Sequence, residues 1–120
     1  MIDSSNVTHS ILERFNAAFE QHRPDDLDDL IGESCDLENT SPAPDGARYE
    51  GCDACLSFWK GIASNGDLAF SLEEIWAGDD RGTIRWSLQW GKGEADRVRG
   101  VNIMRVRDGK IVEGLGYVKA

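Results

Sequence analysis

The sequence predicts one α+β domain over residues 1–120, with its helices gathered on one face of a mostly antiparallel sheet. Three observations carry that expectation. Apolar residues recur at helical spacing through the first half of the chain and at period two through the second. Apart from one short strand, helices precede strands instead of alternating with them. Asp108-Gly109, late in the chain, is a strong hairpin signal, because both residues of such a tight turn need positive φ.

The elements follow in order. From Ser4 to about His22, Val7, Ile11, Leu12, Phe15, Ala18 and Phe19 fall on one face of an amphipathic helix. Pro24 stops it and suits the first turn of a second helix, which buries Leu27, Leu30 and Ile31 and ends at Gly32. Cys35 to Asn39 reads as a short strand. Thr40 to Gly51, with Pro42, Pro44, Asp45 and Gly46, reads as an ordered loop. A third helix from about Cys52 to Ser64 buries Cys55, Phe58, Trp59 and Ile62.

Beyond Gly66-Asp67 the pattern is that of strands. Leu68, Phe70, Leu72, Glu74 and Trp76 alternate with polar or small residues until Ile75 breaks the rule. Asp79 to Gly82 is a turn. Ile84, Trp86, Leu88 and Trp90 share the next strand face, against Arg85, Ser87 and Gln89. A turn at Gly91-Lys92-Gly93 leads to a long strand from about Ala95 to Arg107, and Lys110 to Val118 ends the sheet. All four tryptophans, Trp59, Trp76, Trp86 and Trp90, are expected in the core.

Composition narrows the function. A net charge of −9 repels phosphate backbones, so nucleic acid is not the expected partner. No run of about 18 apolar residues is present to span a membrane. Met1 to Ser5 lacks the basic and apolar stretches of a signal peptide, which makes the cytoplasm the expected location. The three cysteines, Cys35, Cys52 and Cys55, are too few and too oddly numbered for a disulfide framework. Cys52 and Cys55 form a C-x-x-C without a second pair to complete a zinc site, so neither a metal nor another cofactor is expected. Cys55 then reads as core.

Two amides stand out. On the strand ending at Arg107, the even positions Val98, Gly100, Asn102, Met104 and Val106 share one face, and Arg97, Arg99, Arg105 and Arg107 lie on the other. Asn102 is the one polar side chain on the apolar face. Asn39 shares a face with Leu37 in the same way. A buried amide without partners costs several kcal/mol on apolar-transfer scales. Either both amides satisfy backbone groups at strand ends, or they face a mostly apolar cavity with Phe15, Trp59 and Trp86 as walls.

The strings Arg14-Phe15-Asn16-Ala17-Ala18-Phe19, Leu27-Asp28-Asp29-Leu30 and Glu38-Asn39-Thr40-Ser41-Pro42 resemble the first half of a SnoaL-like, or nuclear transport factor two-like, domain. Tyr49-Glu50-Gly51, Phe58-Trp59 and the closing stretch Val101 to Ile111, with Tyr117 after it, extend the resemblance over nearly the whole chain. It implies three N-terminal helices packed in a curved sheet, forming a cone around a cavity and often dimerising through the outer sheet face. The superfamily includes ketosteroid isomerases, polyketide cyclases, epoxide hydrolases and members without chemistry.

In the isomerases a tyrosine on the first helix and an aspartic acid on a strand form an oxyanion hole, while a second aspartate moves the proton. By resemblance these positions fall on Phe15, Asn102 and Asn39. Phenylalanine has no hydroxyl, and asparagine cannot take a proton near neutral pH. The epoxide hydrolases' Asp-Arg-Asp set has no counterpart on the inward faces. The expected function is therefore binding of a small apolar, carbonyl-bearing molecule by Phe15, Phe19, Asn39, Trp59, Trp86, Asn102 and Met104. Two alternatives stay open: a proton-transfer enzyme using Glu74 as a relocated base, and a homodimeric interaction module using the arginine-framed face around Val101 and Ile103.

Overall fold

The computed structural model of the chain describes residues 3–119; Met1, Ile2 and Ala120, and with them part of the N-terminal stretch read above, lie outside the described residues. The architecture is α+β. Helices α1 (Ser4–Glu20) and α2 (Cys52–Ala63) pack on one side of a six-stranded sheet made of β1 (Ile31–Glu38), β2 (Arg48–Glu50), β3 (Ala69–Gly78), β4 (Arg81–Gln89), β5 (Arg97–Arg107) and β6 (Lys110–Val118). The strand order is β2-β1-β6-β5-β4-β3. Every neighbouring pair is antiparallel except β1 and β6, which run parallel.

Helix α1 starts where Asp3 caps it, its carboxylate accepting from the Ser5 N–H at 2.8 Å. Its first turn also clamps the turn between β3 and β4. There Asp79 sits at φ 56°, donating its N–H to Ser5 Oγ and accepting from the buried Thr8 hydroxyl. Leu12, Phe15, Ala18 and Phe19 enter the core as the periodicity requires. The Asp108-Gly109 turn has both φ angles positive, at 52° and 74°.

The expectation of three helices is corrected to two. Pro24–Leu27 is one 3₁₀ turn, and Ile31 and Gly32 already belong to β1. Leu27, Leu30 and Ile31 are buried as read, but their helical spacing loses to the sheet. Ile31 pairs with Ile111, whose N–H donates to the Leu30 carbonyl at 2.7 Å. That competition claims the backbone before a second helical turn can form. Strand β1 thus begins four residues earlier than the cysteine at 35. The short β2 lies inside what reads as loop, held by Asp36–Glu50, Leu37–Tyr49 and Glu38–Arg48 pairings.

A β-bulge changes the reading of β3. Leu72 pairs with Trp86 and Glu74 with Arg85, so Glu73 has no partner on β4. One extra residue reverses the alternation. Phe70 faces the core before the bulge, and Ile75 faces it after, opposite Ile84. Trp76 consequently points to the outer face, 59% exposed, and Trp90 just past β4 is also exposed. Neither is a core residue.

All three cysteines are free. Cys35 and Cys55 are fully buried between β1 and α2, and Cys52 is half-buried with its Sγ against the Ile31 carbonyl. Burial pushes the Cys35 and Cys55 thiols up from their ordinary range, disfavouring the reactive thiolate. A disulfide-exchange reagent is accordingly expected to label at most one thiol, Cys52, in the folded protein and all three after unfolding. Rapid labelling of two or more under native conditions would contradict this packing.

Candidate functional site

Between the two helices and the concave face of the sheet lies a cavity of about 170 Å³. Helix α1 contributes Phe15, Asn16 and Phe19, and α2 contributes Phe58, Trp59 and Ile62. The sheet supplies Phe70, Ile84, Trp86, Leu88 and Asn102. The end of β1 and the residues after it, Leu37 to Thr40, close one side. The aromatic rings order one another. Phe15 meets Trp59 edge-on at 4.9 Å and Phe19 at a tilt at 4.9 Å, and Phe70 meets Trp86 edge-on at 5.9 Å.

Glycines in β5 and β6 make room for these walls. A Cβ on Gly114 would sit 2.9 Å from the Trp59 ring, and one on Gly100 only 2.5 Å from the Trp86 ring. Gly116 lines the cavity itself, beside the Thr40 methyl and Asn102 Oδ1. Glycines at 100 and 114 therefore let two indoles lie across the sheet.

Of the seven residues expected to bind a guest, six line the cavity: Phe15, Phe19, Asn39, Trp59, Trp86 and Asn102. Met104 does not. It is buried in the core with its Sδ against the Gly114 position, beneath the Trp59 ring that packs on the same glycine. Phe15, Asn39 and Asn102, far apart in sequence, converge on the same space.

The polar groups behave differently from one another. The Trp86 indole N–H donates to Asn102 Oδ1 at 3.3 Å, across from the Ile84–Asn102 pair. Asn39 lies just beyond β1, where its Nδ2 donates to the Ser41 carbonyl at 3.3 Å and its backbone N–H to the Ala47 carbonyl at 2.8 Å. Asn39 is therefore held chiefly by its own loop, and Asn102 by the cavity wall.

Glu74 is not in the cavity. The bulge at Glu73 turns it to the outer face, where its side chain is 58% exposed and 3.6 Å from Arg85. Glu73 itself is gripped by Arg99 at 2.7 and 2.8 Å, and the Arg99 and Arg85 guanidiniums hold its carboxyl below the usual range. His9 pairs with Glu13 on α1, away from the cavity. Glu38 is the one ionisable residue among those lining it. Leu37 faces the core there, so strand alternation turns the Glu38 side chain away while its carbonyl faces Gly116.

The sequence reading missed Asn16. It is only 8% exposed, and its Nδ2 donates to Glu20 Oε1 at 3.1 Å. The signal was present: Thr8, Leu12 and Asn16 recur every four residues on one buried stripe of α1.

Residues 12–114 match a family described as SnoaL-like domain. A protein of unknown function from Mesorhizobium loti, described as nuclear transport factor two-like, shares 49% identity over 100% of this chain and 97% of its own, with a TM-score of 0.92. A protein from Kribbella flavida assigned as a ketosteroid isomerase superposes with a TM-score of 0.83 at 16% identity, covering 100% of this chain and 83% of that one. An epoxide hydrolase of Mycobacterium tuberculosis gives 0.76 at 18% identity, covering 99% of this chain and 83% of that one. The last two are likenesses of fold. A comparison with curated proteins gives no match. No helix among the described residues is long and apolar enough to cross a membrane.

Proposed function

The chain belongs to the SnoaL-like domain family, and from that premise we propose that its cavity binds a small apolar, carbonyl-bearing molecule without performing the isomerases' proton transfer. The observation that carries the reading is Asn102. Its amide sits on an aromatic wall with the oxygen engaged by Trp86, leaving N–H donors for a guest. Asn39 in the place of a base cannot take up a proton near neutral pH, and Glu74 lies on the other side of the sheet.

Melting temperature with and without small cyclic ketones and enones tests the reading, since a ligand that binds only the folded state raises it. Replacing Asn102 by Leu is expected to weaken the best ketone roughly 2- to 12-fold, the worth of one neutral hydrogen bond. Unchanged affinity in that variant would remove Asn102 from the site.

A second reading concerns the outer sheet face, which carries Trp76, Ile103 and Tyr117 at 59%, 40% and 52% exposure. Three exposed apolar side chains on a face framed by charged pairs favour a homodimer through the sheet, with the cavities on the far sides. Light scattering is expected to give twice the chain mass, falling to one chain in Trp76→Glu/Tyr117→Glu. A monomeric parent protein would overturn it.

A further inference from the structure

Two amides line the cavity, and the partner of each dictates which way it faces. An indole N–H can only donate, so Asn102 must turn its oxygen to Trp86 Nε1. A flipped amide would set N–H against N–H. The Nδ2 hydrogens of Asn102 meet no acceptor among the described residues, which leaves them to the cavity.

Asn16 is governed by the opposite constraint. Glu20 Oε1 already accepts the Leu72 backbone N–H, and that bond fixes the carboxylate against the edge strand just before the bulge. A carboxylate oxygen accepts, so Asn16 must turn Nδ2 toward it, as the 3.1 Å contact shows. The Asn16 amide oxygen accepts no bond among the described residues, and Asn16 lines the cavity at 8% exposure. A cavity-lining carbonyl without a partner in the protein is open to a donor that a guest supplies.

From these two constraints we infer that the cavity is built for a guest carrying both a hydrogen-bond acceptor, for Asn102, and a donor, for Asn16. The inference rests on the proposed binding function and names its ligand class. Size narrows it further. A space of about 170 Å³ is close to the roughly 150 Å³ engineered cavity that holds benzene. A single-ring hydroxyketone satisfies every condition: its apolar ring packs on Phe15, Trp59 and Trp86, its carbonyl accepts from Asn102 and its hydroxyl donates to Asn16. Trp86 and Glu20 are then positioning residues that set the polarity of each amide.

The test is isothermal calorimetry with cyclohexanone and with 2-, 3- and 4-hydroxycyclohexanone, on the parent protein, Asn16→Leu and Glu20→Ala. One hydroxy isomer should bind about fivefold or more tighter than cyclohexanone, the range of one added hydrogen bond. Asn16→Leu should erase that preference, so that no hydroxy isomer binds tighter to the variant than cyclohexanone does. Should Asn16→Leu fail to fold, Glu20→Ala, altered at an exposed position, must reduce the same preference by freeing the amide to flip. Binding of cyclohexanone with no hydroxy isomer preferred, or a preference that survives both substitutions, overturns the donor–acceptor assignment and leaves the binding function standing. Absence of binding by all four compounds overturns both.

Discussion

Replacing Phe15 by alanine is expected to destabilise the fold by about 3–5 kcal/mol, the range for deleting a buried aromatic ring. Phe15 is 2% exposed and stands at the centre of the inner layer, between Phe19 on its own helix and Trp59 on α2. Its ring is the contact through which α1 and α2 brace each other over the sheet. Removing it deletes two aromatic contacts and enlarges a space that is already partly empty, so neighbouring side chains have little left to collapse onto. For a chain of this length the loss corresponds to a fall in melting temperature of more than about 10 °C. Thermal unfolding followed by circular dichroism measures it. A fall of only a few degrees would mean that the two helices are held by something other than this aromatic cluster.

The second large effect is expected from the smallest possible substitution on β5. A Cβ at Gly100 would lie 2.5 Å from the Trp86 ring and 2.6 Å from the Tyr117 carbonyl oxygen. The indole could swing only into the cavity. The carbonyl belongs to the paired strand β6 and cannot retreat without opening the Val101–Tyr117 ladder. Gly100→Ala should therefore cost about 1–3 kcal/mol by overpacking. It should also loosen the Trp86–Asn102 hydrogen bond, shifting tryptophan emission and weakening ketone binding together. Chemical denaturation with fluorescence readout reports both. An alanine variant as stable as the parent, with unchanged emission, would show that the glycine is not there to seat the indole.

Much of this architecture was legible in the sequence wherever one local rule acted alone. Strands β4 and β5 pair without interruption from Arg81–Arg105 to Gln89–Arg97, so period two places Ile84, Trp86 and Asn102 on the inner face as read. The reading failed where a longer-range contact decided the outcome. The segment after Pro24 has helical spacing, but its backbone is captured by β6, a partner some eighty residues away that no local window contains. On β3, an unpaired Glu73 reverses the alternation, sending Glu74 and Trp76 outward. The break at Ile75 was the visible trace of that bulge. Strand β2 is only three residues long, too short to leave a periodic pattern.

The candidate site follows the same division. Phe15, Trp59, Trp86 and Asn102 were found because each interrupts or crowns a periodic face. Met104 shares the parity of Asn102 but lies outside the cavity lining, and parity alone cannot distinguish the two. Asn16 escaped notice because a polar residue on a helix is ordinarily solvated. Only the structure shows that Asn16 is buried in the cavity lining, with its Nδ2 held by Glu20 and Glu20 held by the edge strand.

The most direct test of the central claim, a cavity that holds a small apolar carbonyl compound against Trp59 and Trp86, uses the protein with Trp76 and Trp90 replaced by Phe. Those two exposed indoles are removed, and the remaining emission comes from the two that line the cavity. Titration with a single-ring ketone is expected to change that emission saturably, with a matching rise in melting temperature. A response that is absent, or that grows linearly without saturation or a melting shift, would contradict the claim.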